Sequence, residues 1–123
     1  RNRLDIARNA QNGIYVGIHM NKFPIEKYHG LQTFYSDNND LSRQLALLVQ
    51  ENCRLADPSN HRQIKPDGNT IFILENIEIP AILIECGFLS NPAEASRLAD
   101  PKYQSKLAFL IFCAIEQYTG SVN

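Results

Sequence analysis

Cysteine is sparse in this 123-residue chain: Cys53, Cys86 and Cys113 are odd in number, widely spaced and form no Cys-x-x-Cys pair. That argues against a disulfide framework or a zinc ribbon and for thiols buried among apolar neighbours. Basic blocks are missing too. With a formal net charge of -1 and no Lys/Arg-rich segment, the chain has no general electrostatic pull toward nucleic acid or an anionic membrane. No stretch approaches the roughly 20 apolar residues of a membrane-spanning helix, so no membrane span is expected. Internal repeats and low-complexity tracts are absent, and nothing marks a second domain. The chain opens on Arg1-Asn2-Arg3-Leu4 without an initiating Met or a signal-like segment, which points to a piece of a longer protein.

What is present is enough for one globular domain with a core, since 44% of the residues are hydrophobic and 20% charged. Leu4 and Ala7 fall at near-helical spacing before Asn12-Gly13, as in the end of a helix. Ile14 to Met20 is a continuous apolar run, the pattern of an interior parallel strand, and His19 closes it. Residues 30–36 read as a second strand. A cap cluster over 36–40 then opens a helix to about Arg54 with Leu41, Leu45, Leu48, Val49 and Leu55 along one face. The polar loop of 57–69 is long enough to carry function. Ile71-Phe72-Ile73-Leu74 predicts a short strand, and Ala81 to Ile84 another. Pro92 opens a short helix. A last helix runs from about Lys102 to Tyr118, with Leu107, Leu110, Ile111, Ala114, Ile115 and Tyr118 as its apolar stripe.

The chemistry gathers at two strand ends. Glu85 follows the buried run Ile82-Leu83-Ile84 and is expected at the carboxyl end of its strand, the edge at which open α/β sheets bind ligands. A carboxylate half in a low-dielectric core has the tunable basicity of a general base, although capping of the following turn would also account for it. If the strands of His19 and Glu85 are parallel neighbours, imidazole and carboxylate share one cleft, as zinc-assisted hydrolysis requires. Cys86 could instead be a nucleophile with His19 as its base. Strand alternation sends it to the face opposite Glu85, which argues against that. His29 and His61 lie in polar segments with no ligand spacing.

Two segments carry a family resemblance. RLDIARNAQNGIYVGIHMN (3–21) resembles the stretch of the zinc-dependent N-acetylmuramoyl-L-alanine amidases that contains their second metal-ligating histidine, and IPAILIECGFLSNPAEASRL (79–98) resembles their catalytic-glutamate segment. Between them, YHGLQTFYS (28–36) and TIFIL (70–74) fit the family's strands, and HMNKF (19–23) is similar to the sporulation and spore-cortex members. The fold this implies is α/β: a mostly parallel sheet flanked by helices, of the amidase and phosphorylase/hydrolase-like kind. Residues 1–123 would form the C-terminal part of a single catalytic domain, lacking the family's first strand and helix and so exposing strand edge and apolar surface.

The activity implied is hydrolysis of the peptidoglycan amide between the lactyl group of N-acetylmuramic acid and the L-alanine of the stem peptide. His19 would be a zinc ligand and Glu85 the general base toward zinc-activated water. Arg62, Lys65 and Asn21 would contact substrate. The family's other two ligands, a histidine in a glycine-rich turn and a glutamate on the first helix, are expected upstream of this chain. The zinc site within it is therefore incomplete and the fragment alone is expected to be inactive. The alternative is a non-catalytic fragment that binds peptidoglycan or a partner. Self-association or a companion protein would cover the exposed surface, and the resemblance implies an extracytoplasmic location at the cell wall or spore cortex.

Overall fold

The computed structural model describes residues 2–10, 12–21, 24–68 and 70–122. Lys22 and Phe23, which complete the HMNKF pattern, lie outside the described residues. In chain order the elements are α1 (Asn2–Arg8), β1 (Tyr15–Asn21), β2 (Gln32–Tyr35), α2 (Leu41–Cys53), β3 (Lys65–Pro66), α3 (Phe72–Asn76), β4 (Ala81–Phe88), α4 (Pro92–Leu98) and α5 (Pro101–Val122).

The four strands form one sheet in the order β1-β4-β2-β3. β1 runs parallel to β4 and β2 parallel to β3, while β2 and β4 are antiparallel. Helices cover both faces. Ile82, Ile84 and Cys86 of β4 point into a core with Leu45 and Val49 of α2, Leu98 of α4 and Leu107, Ile111 and Ala114 of α5. Ala81 and Leu83, on the other face of the same strand, pack with Leu4 and Ala7 of α1 and with Leu74 and Ile77. Such burial on both sides is why β4 reads as an unbroken apolar run. The amphipathic stripe expected of the last helix is also met, with Leu107, Ile111, Ala114 and Tyr118 all buried.

Three expectations are corrected. Ile71 to Leu74 is no strand: Phe72–Asn76 is a helical turn, and its entry is fixed by the Asp67 carboxylate, which accepts from the Ile71 N–H at 2.7 Å. Four apolar residues cannot by periodicity distinguish a strand from one turn of helix. The sheet position falls to Lys65–Pro66, from the polar loop, which pairs with Phe34 and Tyr35 of β2. β1, read as interior from its apolar run, is an edge strand among the described residues, as expected of a chain lacking the family's first strand. Among the described residues no strand pairs with its outer edge, and Ile18 and Met20 stand 60% and 51% exposed. An apolar run records what could be covered on both faces, not which neighbour covers it. Finally, β4 continues three residues past Glu85 to Phe88, so Glu85 does not end its strand.

Polar side chains buried between layers lock the sheet to α2. Gln50, fully buried, accepts from the Thr33 N–H at 2.8 Å and donates to the Leu31 carbonyl at 3.0 Å. The Ser42 hydroxyl accepts from the Ala81 N–H at 2.9 Å. Each satisfies a backbone group that burial would otherwise leave unpaired.

Candidate active site

The regular ladder between β1 and β4 ends on one pair, His19 opposite Glu85. Before the next pair, Asn21 opposite Phe88, one residue of β1 (Met20) faces two of β4 (Cys86 and Gly87), the register shift of a β-bulge. Bulges bend a strand and re-aim side chains, and they recur beside active sites. Directly paired residues on adjacent strands present their side chains on one face, so imidazole and carboxylate stand side by side. That face is the one over which α1 and α3 pack. His19 helps line an open cavity of about 240 Å³ there, with Arg3, Tyr15, Phe72 and Leu83 also on its wall.

Glu85 is half-buried, and its Oε2 is buried with no hydrogen-bond partner among the described residues. Burial pushes its carboxyl above the ordinary value, opposed by the nearby His19. A carboxylate with an unsatisfied inward oxygen is costly unless something arrives to donate to it. Gln32 of β2 completes the row across three strands, because it is the antiparallel partner of Glu85.

The other expected site residues are distributed around this pair. Asn21 ends β1 opposite Phe88, and its carbonyl accepts from the Leu89 N–H at 2.8 Å. Arg62 reaches Gln32, with Nη1 donating to Oε1 at 3.1 Å. Lys65 is exposed on β3, two strands from Glu85. His29 and His61 are exposed and do not join His19. Cys86 faces the opposite core, where burial first and Glu85 second push its thiol up to about 11. A thiol so protonated and so placed is no nucleophile for this cleft.

A zinc ion would find one imidazole here. No three His, Cys, Asp or Glu side chains converge anywhere among the described residues. Three protein ligands plus water is the usual catalytic set, so these residues do not build a zinc site by themselves.

Sequence reasoning missed Gln32 and Glu94. Glu94, buried at the start of α4, accepts from the Gly30 N–H at 2.8 Å and from the Phe88 N–H at 2.6 Å, tying the 24–30 loop to the end of β4. The signal was Asn91-x-x-Glu94, a capping-box spacing. Asn91 does cap the helix, accepting from the Glu94 N–H at 3.1 Å, but the glutamate reaches outward rather than back to its own cap.

An α/β sheet with a paired imidazole and carboxylate at the bulged end of two parallel strands fits a hydrolytic domain, and comparison with known proteins defines which. The family described as N-acetylmuramoyl-L-alanine amidase (Amidase_3) matches residues 1–117, and the chain belongs to it. The germination-specific N-acetylmuramoyl-L-alanine amidase of Bacillus subtilis (strain 168) is 35% identical over 118 residues, which are 96% of this chain and 49% of that protein. A structure of the CwlD amidase from Clostridioides difficile in complex with the GerS lipoprotein superposes with a TM-score of 0.91 at 41% identity, covering 99% of this chain and 61% of that one. A second amidase structure, from Clostridium difficile 630, gives 0.90 at 32% identity and covers 99% and 66%. The chain thus spans about half the length of the first of these relatives.

Proposed function

We propose that residues 1–123 carry the His19 and Glu85 part of a peptidoglycan amidase that hydrolyses the bond between N-acetylmuramic acid and the stem-peptide L-alanine. The observation supporting this is the pairing of His19 with Glu85 at the bulge, with the Glu85 Oε2 buried and unpartnered. Glu85 takes a proton from the attacking water as the new C–O bond forms. It returns that proton to the alanine nitrogen as the C–N bond breaks. Partial burial raises the basicity of the carboxylate, and the nearby His19 opposes part of that rise.

In the whole protein a zinc ion, held by His19 together with ligands from outside this chain, would supply Lewis acidity toward the water and the scissile carbonyl. Arg62 and Asn21 flank this end of the sheet and are the proposed substrate contacts, with Lys65 further out. The family and the germination-specific relative support an extracytoplasmic substrate in cell wall or spore cortex. The CwlD complex with a lipoprotein supports a companion protein.

The test is to incubate the full-length protein with peptidoglycan and measure release of L-alanine amino termini, alongside its zinc content. Glu85→Gln is expected to lower kcat by at least about 100-fold with zinc content unchanged, the typical span for a general base being roughly 10²–10⁴. Residues 1–123 alone are expected to bind no stoichiometric zinc and to cleave nothing. A full-length protein that binds peptidoglycan without cleaving it would establish the binding-module alternative instead.

A further inference from the structure

Arg62 is a half-buried cation with no anionic partner among the described residues. The ion pairs among the described residues are Arg54 with Glu51 and Arg97 with Asp57, and neither involves it. Its guanidinium nevertheless has three supports. Nε donates to the His29 carbonyl at 2.8 Å, Nη1 to Gln32 Oε1 at 3.1 Å, and the group lies over the Phe88 ring at 5.0 Å. The backbone below is fixed as well, its N–H donating to Asn60 Oδ1 at 3.0 Å and its carbonyl accepting from Gln50 at 3.2 Å.

All these supports are neutral. They set the plane of the fork and leave Nη2 without an acceptor among the described residues. A preorganised guanidinium without a counter-ion is suited to a carboxylate, because its planar donors match two oxygens and it loses little freedom on binding. Its location says which carboxylate. Gln32, which it touches, is the strand partner of Glu85, so the cation stands one side chain from the proposed base. Lys65 lacks any such fixation.

We propose that Arg62 determines specificity by reading a free carboxylate on the stem peptide close to the scissile amide, discriminating against peptides in which that carboxylate is amidated. Gln32, Phe88 and the His29 carbonyl hold it for this purpose. The proposal rests on the amidase reading above, and its test separates the two.

The experiment compares kcat/KM of the full-length protein on two muropeptides that differ only in a free acid or a primary amide on the stem residue next to L-alanine. The expected preference for the acid is roughly ten- to a hundredfold, the range of a charge-assisted hydrogen-bonded pair. Arg62→Ala is expected to erase it, chiefly by raising KM for the acid. Arg62→Lys is expected to keep part of it. Equal use of both substrates by the unsubstituted protein overturns the proposal without any variant having to fold. So does an Arg62→Ala loss that is equal on both, which would make Arg62 a positioning residue for Gln32. Cleavage of neither peptide by the unsubstituted protein overturns the amidase reading itself.

Discussion

Replacing Glu94 should destabilise this fold by far more than its place on a seven-residue helix suggests. Its carboxylate is 5% exposed and receives two backbone donors from other segments: Gly30, at 2.8 Å to Oε2 and 3.1 Å to Oε1, and Phe88, at 2.6 Å to Oε1. Gly30 itself sits at φ 102, and a Cβ there would meet Asn60 Oδ1 at 2.6 Å, so only glycine fits where this N–H is presented. Glu94→Ala leaves both N–H groups buried and unpaired. At about 1–3 kcal/mol for each, the loss is about 2–6 kcal/mol. Glu94→Gln keeps one oxygen and turns an NH2 toward a backbone donor, for about 1–3 kcal/mol.

A coupling follows from the packing. A Cβ at Gly87 would come within 2.7 Å of Glu94 Cδ, so Gly87→Ala should be costly in the native background and less so once Glu94 is alanine. The two substitutions should therefore fall short of additivity. The assay is urea unfolding followed by circular dichroism, reading midpoints at constant slope. A cost below about 1 kcal/mol for Glu94→Ala, or full additivity with Gly87→Ala, would refute the clamp.

Thiol chemistry should be sharply uneven. Burial pushes Cys53 up to about 12 and Cys86 up to about 11, whereas Cys113 is partly exposed on α5. Iodoacetamide at mildly alkaline pH should modify Cys113 alone in the native protein and all three in denaturant, as counted by mass spectrometry. Early labelling of Cys86 would contradict its place in the core. The Asp57 site should be sensitive to acid. Burial pushes its carboxyl up, but the Ser59 hydroxyl at 2.6 Å and Arg97 at 3.2 Å outweigh that and hold it below the ordinary 3.8. A lowered folded value adds stability above the unfolded value that disappears as pH falls through the folded one. With Arg97 37% exposed, solvent screens part of the pair. Asp57→Asn should thus cost about 1 kcal/mol at neutral pH and progressively less below pH 3.8, and a gap that stays constant into acid would exclude this origin.

Much of this was legible in local pattern. The stripe on α5, the run of β4, the start of α2 after the polar 36–40 cluster and the prolyl start of α4 are each decided by residues within a turn or two of one another, which sequence order displays directly, although Asp40 makes no side-chain cap to α2. The pairing of His19 with Glu85 on parallel neighbours was legible too, although neither ends its strand: β1 runs on to Asn21 and β4 to Phe88. Leu55 shows the limit even there: it continues the apolar spacing of α2 but follows the helix end and is 67% exposed. Gln50 and Ser42 go the other way, polar on the chain and fully buried, because their partners are backbone groups of distant strands.

The sequence by itself determined the α/β class, the helices and strands of strong period, and the two side chains on which the proposed chemistry depends. Only the tertiary structure decided that β2 returns antiparallel to β4 and that Lys65–Pro66 rather than Ile71–Leu74 joins the sheet. It alone brought Arg62 to Gln32 and Gln32 to Glu85, across 30 residues in one case and one strand pairing in the other. The reason is physical. Periodicity reports how much apolar surface a segment must bury, while strand order and side-chain partners depend on which distant backbone donors and acceptors remain to be satisfied once that surface is buried.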